Sequence, residues 1–272
     1  MEIKKILVPY EGSPSSEIAL KKAVLTAKIF NAELTVVFVV TDSTSAAMVD
    51  KVKELTVGKY KDSGVNIHFV QRKGRIYKEI NAQEKELEAD LIMMGTHGAK
   101  GFQENWIGTN AFRVVSASKC PVITMQEFPF PENFQKILLP LNDTDQTRQK
   151  IPFVTQLARG FDAEVVIFCV SARKDETTIN KLRMYAKQAK TYLDEHKVAS
   201  SFAEEYGRNI ADIIVDYSKA NGVDLISIMT ETETTNSFFM GTYAQQLVHH
   251  SPVPVLSVHT RSLTLEGAIF AS

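Results

Sequence analysis

Two glycine-containing segments of this chain have the residue types and spacing of a phosphate-binding site. Gly95-Thr96-His97-Gly98 places two glycines three positions apart, and Gly108-Thr109-Asn110 follows after nine intervening residues. Glycine has no Cβ, so it adopts backbone torsions closed to other residues and lets backbone amides approach a ligand closely. Gly108-Thr109-Asn110 also opens a predicted helix, whose free N–H groups and positive dipole end suit a phosphate. This spacing favours binding of an anion by backbone amides.

No set of side chains in the sequence resembles a hydrolytic centre. A catalytic base would need an orienting partner beside the glycine segments, and none is found; we interpret His97 as a phosphate contact or as a cap of the turn. His249-His250 lie near His259, but adjacent residues on a helix point about 100° apart, so a shared metal site is not expected. We predict no catalytic residues, no metal site and a binding protein rather than an enzyme.

The chain contains an internal duplication. Lys5-Ile6-Leu7-Val8-Pro9 returns as Lys136-Ile137-Leu138-Leu139-Pro140, an offset of 131, and Asp90-Leu91-Ile92 returns as Asp224-Leu225-Ile226, an offset of 134. The glycine segment at 95–98 has no such counterpart, because Met229-Thr230-Glu231-Thr232 stands in its place. The repeat divides the 272 residues into two domains of ordinary size. We predict domains at 1–127 and 134–262, a proline-containing linker between them, and a tail at 263–272 with no assigned role.

Apolar runs and helical spacings alternate along both copies. In the first copy they predict strands at 6–8, 34–40, 65–70, 91–94 and 121–125, and helices at 18–29, 45–63, 76–88 and 109–118. In the second copy they predict strands at 137–139, 165–170, 225–229 and 255–258, and helices at 151–160, 176–196 and 210–220. Such alternation implies parallel sheets with right-handed crossovers. The predicted fold class is α/β, with two tandem open parallel five-stranded sheets flanked by helices, similar to a Rossmann fold.

Composition excludes several classes of function. With 31 basic and 32 acidic residues the formal net charge is −1, so no overall field attracts nucleic acid or an anionic membrane. No apolar run approaches the roughly 18 residues of a membrane span, and the first residues lack the apolar stretch of a signal peptide. Cys120 and Cys169 stand beside apolar residues, which indicates buried thiols in a reducing compartment. We expect a cytoplasmic protein, and we interpret its cluster of basic residues as a solvated helix face: Lys51, Lys53, Lys59 and Lys61.

Three motifs together resemble those of one known family. The spacing Gly95-x2-Gly98-x9-Gly108-Thr109 is similar to the nucleotide-binding pattern G-x2-G-x9-G-[S/T] of the universal stress proteins. Ile6-Leu7-Val8-Pro9-x-x-Gly12-Ser13, followed by Ala19-Leu20, resembles the opening motif of the same family. The similarity covers nearly all of residues 1–126 and, more loosely, 134–260. The chain therefore resembles a tandem universal stress protein, which implies the adenine nucleotide α-hydrolase-like fold.

The resemblance implies an ATP site in the first copy, with or without Mg²⁺. The positions matching the adenine and ribose contacts are Pro9, Glu11 and Val39, with Tyr10 in the same loop. Met94, Gly95, His97 and Gly98 match the loop after the fourth strand, and Gly108, Thr109 and Asn110 match the phosphate-binding helix start. Two of them depart from the family pattern, because Glu11 replaces an aspartate one methylene shorter and Tyr10 replaces a smaller residue. In the second copy Glu231 and Glu233 stand in the corresponding loop, where carboxylates would repel a triphosphate. We expect ATP in the first copy only.

These observations predict an ATP-binding stress or signalling module with little or no hydrolysis. Its expected partners are a nucleotide and proteins of unknown identity, without nucleic acid or membrane. The alternative is a nucleotide-free interaction or chaperone-like scaffold. An adenylyl or nucleotidyl transferase is a third possibility, but it needs catalytic residues that the sequence lacks. Since an edge strand pairs subunits in the resembling family, we expect the two copies to form a pseudo-dimer within the chain, with a homodimer as the further option.

Overall fold

The computed structural model of the chain describes residues 2–42, 44–96, 109–128, 131–230 and 242–259. The chain divides into two compact units between Pro129 and Phe130. The tail at 263–272 and most of the glycine-containing segment, residues 97–108, lie outside the described residues. Each unit is therefore described by itself.

The first unit is a five-stranded parallel sheet with helical crossovers. In chain order its elements are β1 (Lys5–Pro9), α1 (Pro14–Phe30), β2 (Glu33–Val40), α2 (Ala46–Lys53), a π-helical turn (Glu54–Gly58), β3 (Ile67–Lys73), α3 (Ile76–Leu87), β4 (Leu91–Gly95), α4 (Thr109–Ala117) and β5 (Val122–Met125). The strand order is β3-β2-β1-β4-β5, and every pair is parallel. The apolar strands β1 and β4 lie at the centre of this sheet and are almost fully buried.

The second unit repeats this plan. Its elements are β6 (Lys136–Leu141), a 3-10 turn (Asp145–Arg148), α5 (Ile151–Phe161), β7 (Glu164–Ser171), α6 (Glu176–Glu195), β8 (Ser200–Tyr206), α7 (Ile210–Ala220), β9 (Leu225–Thr230), α8 (Thr242–His250) and β10 (Val255–His259). The strand order is β8-β7-β6-β9-β10, again with parallel pairs. The predicted α/β fold of two parallel five-stranded sheets is confirmed.

Two elements of the first unit differ from their predicted positions. The strand expected at 65–70 is Ile67–Lys73, and its polar end extends further than the apolar run because alternate side chains of this edge strand, those of Gln71 and Lys73, are exposed. The helix expected over 45–63 changes to a π-helical turn after Lys53. Within it the buried Thr56 hydroxyl donates to the carbonyl of Val52 at 2.8 Å, a side-chain bond that competes with regular helical bonding.

The repeated Lys and Asp motifs fasten the amino ends of the central strands. In each unit one aspartate oxygen accepts hydrogen bonds from two successive backbone N–H groups that precede or begin the first strand. These contacts are Asp90 Oδ2 with Lys4 (2.8 Å) and Lys5 (3.0 Å), and Asp224 Oδ2 with Gln135 and Lys136 (2.9 Å each). This part of the repeat is structural, and it lies at the end of the sheet opposite to the carboxyl ends of the strands.

Both cysteines are free and buried, as predicted. Burial raises the pKa of the Cys120 thiol far above its usual range, and burial raises that of Cys169 to about 12. Both therefore stay protonated at neutral pH and pack as small apolar groups. Among the described residues, no helix combines the length and the apolar character that crossing a membrane requires.

Candidate functional site

The candidate site lies where the strand order of the first sheet reverses. From β1 the chain proceeds to β2 and β3 on one side, and β4 and β5 occupy the other side. In open parallel α/β sheets, ligands bind beyond the carboxyl ends of the strands at this switch point. We call residues 9–17 and 94–96, which surround the ends of β1 and β4, the first binding edge. Residues 140–148 and 228–230 form the corresponding second binding edge.

The loop after β1 brings a carboxylate to the start of α1. Gly12 has a φ of +83°, a left-handed torsion that glycine adopts without strain, and it turns the chain into the helix. Ser13 caps the helix, since its Oγ accepts from the N–H of Ser16 at 3.2 Å. The same Oγ donates to Oε1 of Glu11 at 2.8 Å. The exposed Glu11 carboxylate is therefore held beside the first turn of α1.

Gly95 allows α1 to contact the end of β4. A Cβ at this position would lie 2.4 Å from the carbonyl carbon of Ser15 and 2.5 Å from the nitrogen of Ser16. Backbone atoms of a helix cannot move aside as a flexible side chain can. The sequence assigned Gly95 to a close approach of ligand and backbone, whereas here the lack of a side chain serves helix–strand packing. Gly95 thereby joins β4 to the helix start that holds Glu11.

The other predicted contacts are distributed over the same region of the fold. Pro9 ends β1 half-buried, and Val39 lies in β2 two residues beyond Val37, the register partner of Pro9. Met94 is buried in β4. Thr109 begins α4, and Asn110 is half-buried in its first turn. His97, Gly98 and Gly108 lie outside the described residues.

Tyr10 is buried and takes part in a hydrogen-bonded network. Its N–H donates to the carbonyl of Val37 at 3.0 Å, and its hydroxyl donates to Oε2 of Glu17 at 2.8 Å. The other oxygen of Glu17, Oε1, accepts from the ammonium of Lys59. Burial, and then the hydrogen bond and charge of Glu17, raise the pKa of Tyr10 far above its usual range. Neither the hydroxyl nor the amide of Tyr10 is therefore directed to a ligand.

Lys59 is the residue of this network that the sequence did not indicate. Lys59 is exposed, as the predicted solvated face requires, and its side chain also pairs with Glu17 across 42 positions of sequence. The hydrogen bond to Glu17 raises the pKa of Lys59. Its ammonium also lies 5.3 Å from the ring centre of Tyr60. No local pattern in the sequence reveals this pair, because its two residues lie 42 positions apart.

The second binding edge is filled by its own residues. Asn142 Oδ1 accepts from the N–H and the hydroxyl of Thr144 at 3.2 and 2.7 Å, and the N–H of Asn142 donates to Oγ1 of Thr147 at 3.1 Å. The ammonium of Lys150, only 1% exposed, donates to the carbonyl and Oγ1 of Thr147 at 2.7 and 3.2 Å. Hydrogen bonds among its own residues therefore hold this loop together.

The end of β9 carries a long side chain where the end of β4 has a glycine. Buried Met229 stands where the first unit has Gly95, and β9 contacts the 3-10 turn. The regular helix α5 begins only at Ile151, six positions later than α1 once the offset of 131 is applied. A methionine side chain needs the volume that the first turn of α1 occupies in the first unit, so the helix start is displaced.

The 3-10 turn is tied to α6 by charged groups. Asp145 accepts hydrogen bonds from the Tyr185 hydroxyl and, at 3.1 Å, from Lys181. These two bonds, that of Tyr185 first, lower the pKa of Asp145. The Arg148 guanidinium lies 4.2 Å from the ring centre of Tyr185 and donates to Gln188 at 2.7 Å. In the parts of the chain that the structure describes, no three His, Cys, Asp or Glu residues are placed to hold a metal ion.

Comparison with known proteins agrees with this architecture. The model of the universal stress protein family matches residues 2–125 and again 133–259. A universal stress protein of Methanocaldococcus jannaschii is 31% identical over 144 residues, which cover 46% of this chain and 82% of that protein. The crystal structure of a universal stress protein from Archaeoglobus fulgidus superimposes with a TM-score of 0.78 at 17% identity, covering 96% of this chain and all of that one. A protein from Pseudomonas aeruginosa PAO1 does so with a TM-score of 0.70 at 18% identity, covering 99% and 95%. At such identities these two structures are similar in fold alone.

Proposed function

The chain belongs to the universal stress protein family, and from that premise we propose that its first unit binds ATP while its second unit does not. The observation that carries the proposal is the difference between the two binding edges. Gly95 admits the first turn of α1, with its Ser13 cap and Glu11, to the end of β4, whereas Met229 and the 3-10 turn replace that helix start in the second unit. Both units have the switch point at which open parallel sheets bind ligands, but only in the first does a regular helix begin directly beyond the first strand, with Glu11 exposed before its start.

The residues of the first binding edge fit a nucleotide. Glu11 offers carboxylate oxygens, the group that accepts hydrogen bonds from ribose hydroxyls in related sheets. Pro9 and Val39, both half-buried, supply apolar surface for an adenine ring. The triphosphate is assigned to the glycine segment and to the start of α4 at Thr109, where unsatisfied backbone N–H groups attract anions. Mg²⁺ would accompany the phosphates rather than bind to a protein cage.

We propose a stress or signalling role with little or no hydrolysis. Among the described residues of the first binding edge, each carboxylate already accepts from neighbouring side chains: Glu11 from Ser13, and Glu17 from Tyr10 and Lys59. Nucleotide occupancy, rather than turnover, would then change the surface offered to other proteins. We propose a cytoplasmic location for this role.

Isothermal titration of the full chain with Mg-ATP tests this proposal. We expect one nucleotide per chain. Gly98→Asp adds a negative charge to the glycine segment and should weaken binding at least roughly tenfold. Its matched control is Thr232→Asp, which adds the same charge at the corresponding position of the second unit and should leave the affinity unchanged.

Two results would contradict the proposal. Wild-type protein that gives no heat, and releases no nucleotide detectable by mass spectrometry, would favour the nucleotide-free scaffold instead. Equal loss of binding in Gly98→Asp and Thr232→Asp would refute the assignment of ATP to the first unit alone.

A further inference from the structure

An acidic side chain stands on the edge that we assign to an anionic ligand. Glu17 belongs to the first turn of α1, four residues after the Ser13 cap that binds Glu11. Its side chain keeps 34% of its surface exposed, so its charge is not hidden from a neighbouring triphosphate. Two negative groups repel each other, and at physiological salt this repulsion is screened only beyond a Debye length of about 8 Å. A binding edge with an uncompensated Glu17 would disfavour ATP.

The carboxylate of Glu17 pairs with a cation from a distant part of the chain. Its Oε1 accepts from Lys59, while its Oε2 accepts from the Tyr10 hydroxyl at 2.8 Å. The tyrosine is neutral, so among these two partners the lysine alone supplies charge. The side chain of Lys59 is itself 50% exposed and therefore faces the same solvent as a ligand at this edge.

The π-helical turn places Lys59 where its ammonium reaches Glu17. The N–H of Lys59 donates to the carbonyl of Glu54 at 2.8 Å, a bond that spans five residues instead of the usual four. A turn of this kind adds one residue and thus rotates the side chains that follow it. Such turns are frequent at functional sites. Lys59 follows this turn directly, and its side chain is the one that reaches α1.

We propose that Lys59 makes the first binding edge permissive for an anionic nucleotide by neutralising Glu17, which in turn holds Tyr10 in the wall of the site. This inference rests on the proposed function and adds a positioning residue to it. The second unit, to which we assign no nucleotide, has Arg148 at the position corresponding to Glu17. No acidic charge requires compensation at that position, and the guanidinium instead lies over the ring of Tyr185.

The test compares a charged and an uncharged ligand on the full chain. Lys59→Met should weaken Mg-ATP binding roughly three- to tenfold and leave adenosine binding unchanged, because only ATP senses the exposed charge of Glu17. The loss should diminish as salt is raised from 50 to about 500 mM. Lys61→Met, which removes an exposed lysine two residues away, is the matched control and should stay within about twofold of wild type.

A compensating variant separates electrostatics from folding. Glu17→Gln combined with Lys59→Met removes both charges and keeps an acceptor for the Tyr10 hydroxyl, so ATP affinity should return to within about twofold of wild type. Equal effects of Lys59→Met and Lys61→Met on ATP, or equal losses of ATP and adenosine in Lys59→Met, would overturn the inference while leaving the proposed function intact. Wild-type protein that binds no ATP would refute the proposed function itself, and the inference with it.

Discussion

A single missing Cβ determines how the first helix of the first unit meets the sheet. At Gly95 any side chain would lie within 2.5 Å of the backbone of Ser15 and Ser16. The same position in the second unit carries Met229, and the helix there starts later. Glycine at the end of β4 is thus required by packing in the first unit, independently of any ligand. A motif glycine can serve the fold and the site together.

Gly95→Ala should therefore destabilise the first unit by about 1–3 kcal/mol, the usual cost of forcing extra volume into a packed region. Thermal unfolding followed by circular dichroism measures this as a lower Tm. The control is Gly58→Ala, whose Cβ would meet only the carboxylate of Glu54, an exposed side chain that can rotate away. That variant should keep or raise the Tm, because alanine is the better helix former. Similar losses of Tm in the two variants would disprove the packing role of Gly95.

At the scale of elements, the helix that follows the first strand begins differently in the two units. α1 begins at Pro14 behind a serine cap, with its first turn against Gly95. The second unit replaces that turn by a 3-10 turn, which Asp145 and Arg148 fasten to α6. The spacing of apolar residues predicted a helix at 151–160, and α5 does begin at Ile151. It did not predict the 3-10 turn before that helix, because the turn depends on tertiary contacts with α6 and β9.

Asp145→Asn should loosen the 3-10 turn in a pH-dependent manner. The bonds from Tyr185 and Lys181 hold the pKa of Asp145 below its ordinary value of 3.8 in the folded state. The carboxylate thus contributes stability above pH 3.8, and this contribution is lost as the pH falls through the lowered folded pKa. Because Asp145 is largely exposed, we expect a loss of at most about 1 kcal/mol at pH 7.

Urea unfolding at pH 7 and at pH 3 checks this prediction. The gap between wild type and Asp145→Asn should narrow at the lower pH. Asp216→Asn, which changes an exposed aspartate of α7, serves as the comparison and should differ little from wild type at either pH. A gap that is constant, or that widens towards pH 3, would contradict the assignment.

At the scale of the whole molecule, the duplication made the fold predictable. Apolar runs such as residues 34–40 are typical of buried parallel strands. Because motifs recur at a nearly constant offset, the plan of the second unit could be predicted from that of the first. The candidate site was less predictable, since its motif residues combine with a partner no motif contains. Lys59 follows a π-helical turn and pairs with Glu17, a contact that only the tertiary fold creates. Tyr10 likewise owes its place to tertiary contacts, since its hydroxyl donates to Glu17 of α1 and its N–H to Val37 of β2.

The duplication also supplies a matched pair of variants that tests the structural role of the repeated aspartates. Asp90→Asn and Asp224→Asn each weaken the charge-assisted bonds that hold the first strand of one unit, at a cost of about 1 kcal/mol. Hydrogen exchange measured by mass spectrometry should therefore accelerate mainly within residues 2–128 in Asp90→Asn and mainly within 131–259 in Asp224→Asn. ATP affinity should stay within about twofold of wild type in both, because these bonds lie at the opposite end of each sheet from the binding edge. Faster exchange in the same unit for both variants would show that the two aspartates do not have equivalent roles, and a selective loss of ATP binding in Asp90→Asn would place that residue in the site.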